Sequence, residues 1–177
     1  MPTSAVGETA EVLTPTPLAT GRLTLTPLVV DDADAMVAVL GDERMYEFTG
    51  GRPRTLEELR EHYGWLAVGR SADGSELWFN WIVRFAGSAD PVGVVQATVA
   101  PDGSTADVAW EIGVPWQGRG VATEATRAMV AWLVDQGVRE VRALVHPRHD
   151  ASSRVAERTG LAPTSEVEDG EVVWRLP

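Results

Sequence analysis

The stretch that most constrains this chain runs from Trp110 to Gly137. A short apolar strand, Trp110 to Val114, gives way to Pro115-Trp116-Gln117-Gly118-Arg119-Gly120-Val121-Ala122 and then to an amphipathic helix. Glycine lets the backbone turn sharply and approach a ligand without a Cβ in the way. The first helical turn carries N–H groups without intrahelical partners, together with the positive end of the helix dipole, so an anion fits there. The segment therefore reads as a phosphate cradle. A P-loop needs Gly-Lys-Ser/Thr at its end, where this chain has Gly120-Val121-Ala122, with no lysine for a terminal phosphate and no hydroxyl for magnesium. A dinucleotide fingerprint needs a third small residue where Thr123 stands. Its strand should also be continuously apolar, and here Glu111 interrupts it. That reading survives only as a rival resting on Gly118-Arg119-Gly120.

The remaining chain narrows the partners. A length of 177 residues suits one domain with one core. The net charge of -11 argues against nucleic acid or an anionic membrane as partner, because both need clustered basic side chains, and it leaves a cationic substrate as the natural expectation. No apolar run is long enough to cross a bilayer, and no basic stretch leads into an apolar core at the N-terminus, so the cytoplasm is the expected compartment. The absence of cysteine removes disulfides, thiolate metal sites and any acyl-cysteine mechanism.

Residues 1–18 lack periodicity and are punctuated by Pro2, Pro15 and Pro17, which predicts a loose arm ahead of a single domain spanning 19–177. Alternation predicts a strand over Arg22 to Leu28, followed by helices over Asp31 to Leu40 and Leu56 to Val68. The second of these opens on a Thr55/Glu58 capping box. Strands over Trp78 to Phe85, Pro91 to Ala100 and Ala106 to Val114 form an antiparallel meander. A helix over Thr123 to Gln136, a strand over Arg139 to Val145, a helix from an Asp150 cap to Thr159 and a hairpin around Glu168-Asp169-Gly170 complete the chain. This order implies an α/β or α+β layer architecture with a mixed sheet.

The spacing Gln117-x-x-Gly120-x-Ala122 is similar to the pyrophosphate loop of the GNAT superfamily of acetyl-CoA-dependent N-acyltransferases. Trp110-Glu111-Ile112-Gly113-Val114 before it, Ala122-Thr123-Glu124-Ala125 after it, and the segment Ala151 to Leu161 resemble the RimJ/RimL-type branch, as does Thr20 to Leu28. The resemblance implies a mostly antiparallel sheet whose strands Ala106 to Val114 and Arg139 to Val145 run parallel and splay, with the coenzyme in the gap. It implies that Ile112, Gly113, Val114, Gln117, Gly118, Arg119, Gly120, Val121, Ala122 and Thr123 bind acetyl-CoA, joined by His149 and Ser152. His149 stands where relatives commonly carry an asparagine that contacts the pantetheine arm.

Transfer of an acetyl group from a thioester to an amine needs a base, an oxyanion donor and a donor for the departing thiolate. Glu111 is the candidate base, its other reading being a solvent-facing or arginine-paired strand glutamate. A backbone N–H around Val114 is the candidate oxyanion donor. The resemblance implies a tyrosine or serine near the start of the second short helix as thiolate donor, which makes Ser152 the candidate, its other reading being a hydroxyl that bonds an orphan helix N–H. Tyr46 and Tyr63 lie far upstream and are set aside. Trp116 flanks the cradle, while Trp65, Trp78 and Trp81 are offered for an acceptor pocket without assignment. The expected activity is acetylation of a primary amine, on a protein N-terminus or a small molecule, by direct attack in a ternary complex with no metal. The alternative is a non-catalytic CoA or acyl-CoA sensor. The tail hairpin, rich in Val172, Val173 and Trp174, offers an edge for a homodimer.

Overall fold

The computed structural model describes residues 13–177. Eight strands form one sheet: β1 (Leu18–Ala19), β2 (Leu23–Pro27), β3 (Leu77–Phe85), β4 (Pro91–Val99), β5 (Thr105–Ile112), β6 (Glu140–Val145), β7 (Ala162–Glu168) and β8 (Glu171–Arg175), in the order β1-β2-β3-β4-β5-β6-β8-β7. Four α-helices complete the fold: α1 (Ala33–Val39), α2 (Leu56–Leu66), α3 (Val121–Asp135) and α4 (Asp150–Thr159). The sheet is the mixed, mostly antiparallel one that the motifs imply, and β5/β6 is its one parallel pair.

Alternation along the strands divides the core between the two faces of the sheet. Phe79, Trp81 and Val83 of β3 turn towards α3, where Trp132 meets Phe79 and Trp81 edge-on at ring centroid distances of 5.5 and 5.2 Å. Ile82 and Val94 turn to the other face and pack against Met36 and Val39 of α1 and Leu59 and Tyr63 of α2. Helix α2 begins where its capping chemistry dictates. Glu58 N–H donates to the Thr55 hydroxyl and Thr55 N–H to the Glu58 carboxylate, closing the expected capping box.

The parallel pair is short, and this shapes the site. Strand β5 pairs with β6 only from Thr105↔Glu140 to Asp107↔Arg142, where Arg142 Nε donates to Asp107 at 2.8 Å. Beyond that point β5 stays with β4 as far as Ile112, while β6 stays with β8 as far as Val145. Each strand keeps its outer neighbour and loses its inner one, so the sheet opens as a wedge.

Three expectations need correction. Residues 1–12 of the expected loose arm lie outside the described residues, but 13–18 are docked. Leu13 and Leu18 pack on the core, Leu18 pairs with Leu25, and Trp81 Nε1 donates to the Thr16 carbonyl at 2.8 Å. The short strand β1 was missed for the same reason, since its pairing is tertiary and leaves no period in the sequence. Strand β5 ends at Ile112, not Val114, because Val114–Trp116 curls into a 3-10 turn around Pro115, which has no N–H for a ladder. Finally, α4 is capped by His149, whose Nδ1 accepts from Ser152 N–H, and Asp150 is its first helical residue.

Candidate active site

The cradle is the turn between the end of β5 and α3. Gly118 and Gly120 both adopt the left-handed conformation, at φ 71° and 77°, which side-chain-bearing residues reach only at a cost. As a result the N–H groups of Gly118, Arg119, Gly120, Val121, Ala122 and Thr123 donate to no acceptor among the described residues. Glu124 N–H is the first to close onto the helix, at the Gly120 carbonyl. Six successive donors at the positive end of a 15-residue helix make a turn that suits an anion. Gln117 turns its side chain back and donates from Nε2 to the Ile112 carbonyl at 2.8 Å, so it ties the loop to the strand end. Val114 N–H has no described acceptor either, and it lies two residues beyond the end of β5.

A brace that the sequence did not reveal holds the loop from behind. Arg22 donates from both terminal nitrogens to the Arg119 carbonyl, at 3.2 and 3.3 Å, and pairs with Glu124 at 2.6 Å. Thr20 Oγ1 also donates to Glu124. Burial pushes the Glu124 carboxyl up, and the hydrogen bonds from Thr20 and Arg22 more than reverse it, leaving it below its ordinary value. The Arg119 side chain itself is exposed and unpaired among the described residues. Thr123 lines a groove beside the loop together with Arg22, Arg127 and Arg158.

Glu111 faces the opposite way. It is the direct partner of Val94, so its side chain shares Val94's face and enters a cleft against α1 and α2. The cleft, about 260 Å³, is lined by Leu40, Leu59, Leu66, Tyr63, His62, Arg54, Gln96 and Glu111. The Glu111 carboxylate keeps solvent access through the mouth and accepts no hydrogen bond from the described residues. The surrounding protein raises its pKa, and Arg54 opposes that rise. Burial and Arg54 lower His62, which keeps the imidazole neutral at neutral pH. The Tyr63 hydroxyl is buried without a partner, and its burial raises its pKa.

The segment joining α1 to α2 crosses from this cleft to the start of α4. Tyr46 donates to the Leu40 carbonyl at 2.9 Å and senses the charge of Glu111. Two residues on, Phe48 stacks on His149 at 4.4 Å and tilts against His146 at 5.3 Å. Burial and then His146 lower His149, despite Glu47 and Asp150. Ser152 is half-buried, and its hydroxyl bonds no described group, so the capping reading of that hydroxyl does not hold; His149 does the capping.

The tryptophans offered for an acceptor pocket are elsewhere. Trp81 is in the core, Trp78 donates to Glu76, and Trp65 is 64% exposed. Trp116 packs between the two halves of the core, close to Gly113. Conversely, Tyr46 and Tyr63, set aside as remote in sequence, are both beside Glu111. Arg54 and His62 gave no sequence signal, because nothing local distinguishes them from solvated helix-flanking residues.

A cradle of free amides at a helix start, next to a wedge between parallel strands and backed by a carboxylate cleft, defines an acyltransferase-type architecture. The family model for the acetyltransferase (GNAT) domain matches residues 22–162, and the chain belongs to that family. No curated protein matches the sequence. Among solved structures, a GNAT-family acetyltransferase from Bacillus anthracis is 16% identical, with a TM-score of 0.74 over 90% of this chain and 96% of that one. RimL, a ribosomal L7/L12 alpha-N-protein acetyltransferase in complex with coenzyme A, is 14% identical, with a TM-score of 0.73 over 90% and 96%. The microcin C7 self-immunity acetyltransferase MccE, in complex with acetyl-CoA and AMP, is 13% identical, with a TM-score of 0.71 over 88% and 92%. At these identities the likeness is one of fold.

Proposed function

We propose that this protein is an N-acetyltransferase that uses acetyl-CoA and a primary amine, by direct attack in a ternary complex. The observation that carries the reading is the unbroken run of unpartnered N–H groups from Gly118 to Thr123, opening beside the wedge between β5 and β6. Those donors fit a diphosphate, and the two left-handed glycines keep Cβ atoms off that surface. Acetyl-CoA supplies the acyl group and leaves as the thiol once the amine nitrogen has bonded to the carbonyl carbon.

The chain's own residues divide the remaining work. Glu111, ionised in its cleft, removes the proton that the amine must lose, directly or through a water, and neutral His62 lies in the same cleft to pass it outward. Val114 N–H, unpaired just beyond the end of β5, donates to the oxygen that becomes negative during attack. Ser152 offers its hydroxyl to the departing sulfur, and His149 orients the start of α4 that carries it. Arg22 and Glu124 keep the cradle loop in shape for its anion.

The test is acetyl-CoA binding followed by thioester consumption over a panel of amines. Binding with consumption supports the reading. Binding without consumption on any amine replaces it with the sensor reading, and absence of binding at millimolar acetyl-CoA removes both.

A further inference from the structure

The acceptor cleft holds two opposite charges that do not meet. Glu111 and Arg54 line the same cavity, and Glu111 feels the charge of Arg54, yet they form no ion pair. Arg54 pairs with no described carboxylate at all. The arginines around it are satisfied: Arg52 bonds Glu58 at 2.6 Å, and Arg60 bonds Asp34 at 2.6 Å. Arg54 is also the cation sensed by His62, Tyr46 and Tyr63, so its charge points at the cleft from the segment that leads into α2. Tyr63, 2% exposed and with its hydroxyl buried and unpartnered, lines the same cleft with Leu40, Leu59 and Val94.

A negative and a positive group that line one small cleft without pairing complement a molecule with the reverse pattern. We infer that the acceptor is a small primary amine that also carries a carboxylate, its amine presented to Glu111 and its carboxylate held by the Arg54 guanidinium. This rests on the acetyltransferase reading above and specifies its substrate. A guanidinium matches a carboxylate in a planar, two-bond geometry. A polycation entering the same cleft meets Arg54 as a like charge, which disfavours it. The volume of about 260 Å³ suits a molecule of amino-acid size better than an aminoglycoside. The overall charge of -11 suggested a cationic acceptor, but that charge is spread over the surface and does not set the balance within the cleft.

The experiment compares acetylation rates of free L-amino acids with those of their C-terminal amides, rates being expressed per unprotonated amine, with spermidine and kanamycin alongside. The free acid is expected to exceed its amide in kcat/KM by about tenfold or more, the range of a charge-assisted hydrogen bond. That ratio collapses towards one in Arg54→Gln and partly returns in Arg54→Lys, with the change in KM. Equal rates for acid and amide, a preference for spermidine, or a ratio unmoved by Arg54→Gln overturns the inference and leaves the acetyltransferase reading standing. No acetylation of any amine, while acetyl-CoA still raises the Tm, overturns both.

Discussion

Replacing Gly120 by valine tests the cradle itself. At φ 77° a β-branched residue is strained. The left-handed region costs an L-residue about 1–2 kcal/mol, and a domain of this size moves about 2–4 °C per kcal/mol. The variant without ligand should therefore melt about 2–8 °C below the parent. In the parent, acetyl-CoA at a hundred times its Kd contributes about 2.7 kcal/mol, a rise of about 5–11 °C on the same scale. The variant relieves its strain by rotating out of the left-handed region, which turns the amides of Gly118 to Thr123 away from their common target. A tenfold loss of affinity, about 1.4 kcal/mol, halves the ligand-induced rise. The control is Gly74→Val, at φ 73° in a turn where an added Cβ meets nothing within 4 Å, and which lies outside the cradle. It carries the same strain and should keep the full rise. The assay is thermal unfolding with and without acetyl-CoA for all three proteins. A Gly120→Val protein that melts lower yet keeps the full rise would refute the assignment of those amides to the coenzyme.

Glu111→Gln should lower turnover about 10²–10⁴-fold, the usual contribution of a positioned base, while the acetyl-CoA-induced Tm rise persists; unchanged turnover removes Glu111 as base. Because burial holds its carboxyl above its ordinary value, kcat/KM should rise with pH along a limb above the usual carboxylate range, and that limb should vanish in Glu111→Gln. Stability moves the opposite way. The unfolded chain loses this proton at lower pH than the folded one, so the parent loses stability relative to Glu111→Gln as pH rises through that window. A Tm difference that stays flat from pH 4 to 8 contradicts it. Gly93→Val should destabilise by about 1–3 kcal/mol or more, since an added Cβ collides with the Glu111 carbonyl and comes within 2.9 Å of Ile112 Cα; urea midpoints report it. Arg84→Ala should cost about 1.5–3 kcal/mol by stripping the buried Asp32 of its 2.6 Å partner and Thr26 of its donor, and an unchanged midpoint would count against that ion pair as a support.

Much of the fold is legible in the sequence because its signals are local. Period-two alternation, the Thr55/Glu58 box and the Asp169-Gly170 turn each express a preference between near neighbours, and β3, β4, α2 and the tail hairpin follow them. The cradle was equally legible, since two glycines, a proline and a helix start are contiguous. Strand β1 was not, because two residues paired with Leu25 and Thr24 leave no period.

What the sequence determined by itself is therefore the glycine turn ahead of α3 and the elements that flank it, through backbone preferences acting within a few residues. What only the tertiary structure decided is the other half of the site. Arg22 reaches the Arg119 carbonyl across 97 positions, and Arg54, His62 and Tyr63 come to line one cleft with Glu111 because α2 packs on the face that Val94 and Glu111 share. Their chemistry comes from mutual distance and from the partial desolvation that the packed helices impose on Glu111 and His62. Neither property belongs to any single stretch of chain, so both arise only when the sheet and its helices close together.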